Sequence, residues 1–142
     1  MRRSHRAGFS VAAIVVGAVM LGCLTNLLVT LEPGSTAQHV MLRIGFTTDT
    51  ARAVRGLQDV RVMTCSTEHN VGRPAVWEMT HIGPSNGLGP RVVTLGQSPS
   101  NEWTTTGTGQ PLAPGCYTVY VDAGGAQGAI TLDVRADGTV HS

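Results

Sequence analysis

Twenty-three consecutive residues, Phe9 to Leu31, carry no charge, and this run limits the chain more than any other feature. As a helix it would measure about 35 Å, enough to cross a hydrocarbon core of roughly 30 Å. Arg2, Arg3 and Arg6 precede it, and Glu32-Pro33-Gly34 ends it. Positive charge on the N-terminal side places that side in the cytoplasm and the remainder outside. The chain is thus read as two parts: a basic start with a membrane anchor or signal helix, residues 1–34, and an extracytoplasmic domain, residues 35–142. Three fates stay open for the first part. Its length suits an uncleaved, single-pass anchor in the cell membrane. Ser35-Thr36-Ala37 is a small-x-small site for cutting a secretory signal, although the run is longer than the usual ~7–15 residues. Met20-Leu21-Gly22-Cys23 resembles a lipobox, which would make Cys23 the lipidation site of a lipoprotein, with Leu21 bulky for its place.

Charge on the exported part nearly cancels, with seven Arg against eight Asp and Glu from Ser35 onward. Nucleic acid, which asks for a basic stripe, is therefore not an expected partner. Lys is absent while Ala, Gly, Val, Thr and Arg are abundant, a composition that fits a GC-rich bacterial genome. Aromatic residues are only 4% of the chain, so the core must be built from Val, Leu, Ile and Met.

From Gln38 on the apolar pattern has period two. Val40, Leu42, Ile44 and Phe46 share one face of a strand, and Val60, Val62 and Thr64 share one face of a second within Leu57–Cys65. Further strands are expected at Ala75–Ile82, Arg91–Leu95, Cys116–Asp122 and Ala129–Arg135, with Thr139-Val140 folding back after Asp137-Gly138. Gln97 to Gln110, polar but for Trp103, reads as a long loop with room for a short edge strand. Short strands punctuated by Gly and Pro, without a helix after the apolar run, predict an all-β, antiparallel sandwich.

Leu112-x-Pro114-Gly115-x-Tyr117-x-Val119-x-Val121 resembles the strand entry found in immunoglobulin-like, fibronectin type III-like and transthyretin-like sandwiches. The resemblance implies an immunoglobulin-like β-sandwich in which Leu112, Pro114, Gly115 and Tyr117 form a structural corner, the Tyr hydroxyl bonding back to nearby backbone. It covers about ten residues and speaks to fold rather than function. If Tyr117 points inward, Cys116 points outward, because neighbouring strand residues alternate. Cys65 shares its face with Arg61 and also points outward, so a Cys65–Cys116 disulfide between neighbouring strand ends is expected.

No Gly-x-Ser-x-Gly, Ser-x-x-Lys, His-Glu-x-x-His or phosphate-cradling loop occurs, so no catalytic residue, cofactor or metal site is expected. Glu78 and His81, three apart on a strand, face opposite sides and cannot grip one ion. Trp77 alternates with Met79 and His81 as a core residue. Trp103 is either an exposed contact or a cap on the core end, and Glu68, His69 and Arg73 share a polar loop. The expected role is a non-catalytic, membrane-anchored interaction module whose loops, Glu68–Arg73 and Gly96–Gln110, meet a protein or cell-envelope partner. An exported small-ligand carrier or an envelope-modifying enzyme is the alternative; an apolar cleft with convergent polar groups would favour the first, and His69 and His81 clustered with a carboxylate the second.

Overall fold

A computed structural model describes residues 26–49, 52–65 and 74–142. Among them are nine strands: β1 Leu27–Leu31, β2 Met41–Phe46, β3 Asp59–Thr64, β4 Trp77–His81, β5 Val92–Thr94, β6 Trp103–Gly107, β7 Gly115–Asp122, β8 Gln127–Val134 and β9 Val140–His141. They form two antiparallel sheets, of order β1-β2-β5 and β6-β4-β3-β7-β8-β9. The fold is an all-β sandwich. Leu42 and Ile44 from the small sheet meet Val60, Val62, Trp77, Met79, Val119 and Leu132 from the large one in a single core. The period-two pattern decides which side chains go there: Arg43, Arg61 and Thr118 alternate with these residues and face away.

The uncharged run does not continue as a helix to Leu31. Residues 27–31 are β1, paired antiparallel with β2 from Leu27↔Phe46 to Leu31↔Leu42. Leu27 and Val29 are buried while Thr30 is exposed, so this stretch serves as a half-buried strand covering one edge of β2. Gly128 on β8 makes room for it: a Cβ there would lie 2.6 Å from the Leu27 carbonyl oxygen. The sandwich therefore takes in residues ahead of Ser35. The rest of the run, Phe9 to Thr25, lies outside the described residues, as does Cys23; no described helix is long and apolar enough to cross a membrane.

The edge strand expected within Gln97–Gln110 is β6, which starts at Trp103 and pairs with β4. The fold-back after Gly138 is β9. Cys65 and Cys116 form a disulfide, with Cα atoms 5.2 Å apart. It joins the adjacent ends of β3 and β7, where the Cys65 N–H also donates to the Cys116 carbonyl at 2.9 Å. A disulfide fits an oxidising, extracytoplasmic setting. Tyr117 is buried and its hydroxyl donates to the Ala113 carbonyl at 2.7 Å.

The sandwich has two distinct ends. At the proximal end, where Asn26 leads into β1, lie the connections Thr47–Gln58, Ile82–Arg91 and Ala123–Ala126. The Thr47 N–H reaches the Asn26 carbonyl, and the Gly56 N–H reaches that of Gly87 at 3.0 Å. At the distal end lie the disulfide and the turns at Ala37 and Gly138, where the Ala37 N–H donates to the Gly138 carbonyl at 2.9 Å.

Candidate functional site

The outward side of the six-stranded sheet carries the densest group of interacting polar side chains. Strand register sets it. Glu78 on β4, Arg61 on β3, Tyr120 on β7 and Ala129 on β8 stand in one cross-strand row, and Thr80, Asp59, Asp122 and Gln127 stand in the next. Arg61 donates through Nη2 to Asp59 Oδ2 at 2.5 Å and through Nε to Glu78 Oε1 at 3.2 Å. Its guanidinium is thus held between two carboxylates, and Tyr120, its cross-strand neighbour, is 42% exposed. With Arg61 half exposed, these ion pairs contribute at most about 1 kcal/mol each to stability, so their main effect is to fix the position of the guanidinium.

Burial pushes the Asp59 carboxyl above its ordinary value, overcoming the opposing pull of Arg61. The Arg61 guanidinium is pushed further up, chiefly by Asp59 with Glu78 adding, and remains charged. Asp122 is engaged by the Gly124 N–H at 2.8 Å and Gln127 Nε2 at 3.0 Å. Asp59, Arg61, Met63, Tyr120, Asp122 and Gln127 border an open groove of about 380 Å³. Asp59 and Glu78 hold the one guanidinium and Asp122 stands across from Asp59 in the next row, so carboxylates outnumber cations in these two rows and give them a negative character.

Other residues singled out from the sequence are dispersed. Trp103 is 8% exposed and meets His81 edge-on at 4.9 Å, so it caps the proximal end of the core and is not an exposed contact. His81 Nδ1 lies 3.1 Å from the Gly83 carbonyl, whereas Glu78 is on the opposite face with Arg61. Among the described residues no three His, Cys, Asp or Glu side chains are grouped to hold a metal ion. Trp77 is fully buried in the core. Glu68, His69 and Arg73 lie outside the described residues, in the connection between Cys65 and Pro74. Sequence reasoning missed the row around Arg61. Asp59-x-Arg61 shows one same-face pair, but the approach of Glu78 and Tyr120 depends on pairing between distant strands.

Comparison with known proteins finds no matching family model, no matching curated protein and no matching solved structure.

Proposed function

We propose that this chain is a non-catalytic, membrane-anchored interaction module of the cell envelope, with an immunoglobulin-like sandwich that offers its large sheet to a protein partner. The observation that supports it most is the exposed Tyr120 ring beside an Arg61 held by two carboxylates. Tyr and Arg are the side chains that most often dominate protein interfaces, and an Arg already fixed in place loses little freedom on binding. The carboxylate excess on this face suits a partner with a basic surface. The Glu68–Arg73 connection, between the distal Cys65 and Pro74, supplies a second contact. The Tyr117 corner and the Cys65–Cys116 bridge support the immunoglobulin-like assignment and the exported setting.

The test is co-purification of the full chain from membranes in mild detergent, beside Tyr120→Ala, Arg61→Ala and a variant with Glu68, His69 and Arg73 changed together. A reproducible partner that is lost with Tyr120→Ala or Arg61→Ala is the expected result. A partner retained by all variants would move the site elsewhere, and no partner at all would count against an interaction module.

A further inference from the structure

We infer that the proximal end of the sandwich rests directly on the bilayer, with Ile82 and Leu88 entering the lipid interface. The inference rests on the membrane-anchored reading of Phe9–Thr25 and adds to it an orientation and a contact surface.

Three observations converge. Ile82 and Leu88 are 57% and 66% exposed, the two most exposed large hydrophobic side chains among the described residues. Both are in the Ile82–Arg91 connection, which is held firmly by its neighbours. Gln58 Nε2 donates to the Gly83 carbonyl at 3.1 Å, the Ser85 N–H donates to Gln58 Oε1 at 3.2 Å, and Arg55 Nη1 donates to the Asn86 carbonyl at 2.9 Å. The Gly89 N–H adds a bond to the Val54 carbonyl at 2.7 Å. Leu88 is therefore presented by a braced loop whose backbone is paired with that of Arg55.

The second observation is where the chain comes from. The described residues begin at Asn26, at this same end, and the uncharged run reaches Thr25. Strand β1 starts at Leu27, so on the membrane-anchored reading at most a residue or two separate the membrane segment from the sandwich. A tether of two extended residues reaches only about 7 Å, which brings the proximal connections to the headgroups. The third is that Arg52, Arg55 and Arg91 are all exposed at this end. Asp49 and Glu102 stand there too, with Asp59 and Asp122 at the adjoining strand ends, so the cations give no net attraction and the apolar pair carries the contact, the guanidinium groups meeting lipid phosphate. The disulfide is at the opposite end.

The experiment uses the full chain reconstituted into phosphatidylcholine vesicles whose acyl chains carry bromine, a short-range quencher of tryptophan. Leu88→Trp, Ile82→Trp and, at the distal end, Asp137→Trp are each compared with the unsubstituted chain, whose Trp77 and Trp103 are buried. Seating at the interface predicts a loss of roughly half the added emission for Leu88→Trp and Ile82→Trp, and none for Asp137→Trp. If the chain is retained by the vesicles but Leu88→Trp is unquenched and open to a soluble quencher, the docking is wrong and the anchor stands. Shielding from the soluble quencher without quenching by brominated lipid also overturns the docking, showing a second copy of the chain on this end. Release of the chain by an alkaline wash overturns the anchor and the docking together.

Discussion

Replacing Leu27 by Ala separates a strand of the sandwich from the end of a membrane helix at one position. Leu27 is 5% exposed, faces Phe46 across the β1-β2 pair, and lies against Gly128 of β8. Removing a buried leucine side chain costs about 2–5 kcal/mol, and a site at the edge of a core falls toward the lower figure because neighbours can close in. A loss of about 2–3 kcal/mol, with a urea slope of ~2 kcal/mol/M, moves the midpoint down by roughly 1–1.5 M. The assay is urea unfolding of residues 26–142, followed by the fluorescence of the buried Trp77 and Trp103. Thr30→Ala is the control, because Thr30 is exposed on the same strand and its loss should stay within about 0.5 kcal/mol. Were residues 27–31 the end of a helix detached from the domain, Leu27→Ala would leave the midpoint where Thr30→Ala leaves it. That equality would refute the place given to β1.

Replacing Cys65 and Cys116 together by Ser opens a loop of 51 residues and should lower stability by ~4 kcal/mol in the chain-entropy model, read by the same unfolding assay; a change below about 1 kcal/mol would contradict it. Asp59 has its carboxyl raised by burial, so its contribution to stability is complete below the unfolded value of 3.8 and is lost as pH rises through the higher folded value. Asp59→Asn should therefore flatten the stability profile in that acid window, and an unchanged profile would show that Asp59 is not the group responsible. Gly109 has φ of +60°, and a Cβ there would lie 2.7 Å from both the Gly96 nitrogen and Trp77 Cδ1. Gly109→Ala should cost at least ~1–3 kcal/mol, clearly more than Gly34→Ala, where φ is +83° but nothing stands within 4 Å; equal costs would reduce the effect to backbone strain alone.

Most of the sandwich is legible because a half-buried strand writes its orientation in alternate residues. Leu42 and Ile44, Val60 and Val62, and Val119 and Val121 all point inward as their spacing demands. The disulfide follows from the same parity, since Cys65 and Cys116 fall on the outward phase of paired strands. Two strands escape this logic for opposite reasons. Strand β1, Leu-Leu-Val-Thr-Leu, is joined without a break to the apolar run before it, so length suggests a membrane span and masks the alternation. Strand β6, Trp-Thr-Thr-Thr-Gly, has a single apolar residue because it is an edge strand whose Thr104, Thr105 and Thr106 are exposed. An edge strand is expected within Gln97–Gln110, and the run of β-branched threonines is the signal that could have fixed its bounds. The Arg61 site is different in kind. Its partners come from β4 and β7, and register between strands separated by whole connections is settled by packing, not by local pattern.

The place of β1 also bears on how the N-terminus is processed. Cutting after Ala37 would remove Leu27 and Val29 from the core and expose the edge of β2. It would also weaken the junction at Ala37, which holds the Gly138 carbonyl through its N–H and the Leu112 N–H through its carbonyl. An uncleaved anchor leaves all of this intact. So does lipidation at Cys23, which keeps Leu24, Thr25 and Asn26 as a short tether before β1. Both of these fates hold the proximal end at the bilayer, and cleavage at Ala37 would free it. The mass of the mature N-terminus from membranes should accordingly correspond to a start at or before Cys23. A start at Gln38 in folded protein would mean that the small sheet keeps its shape as two strands, and the structural role assigned to β1 would have to be withdrawn.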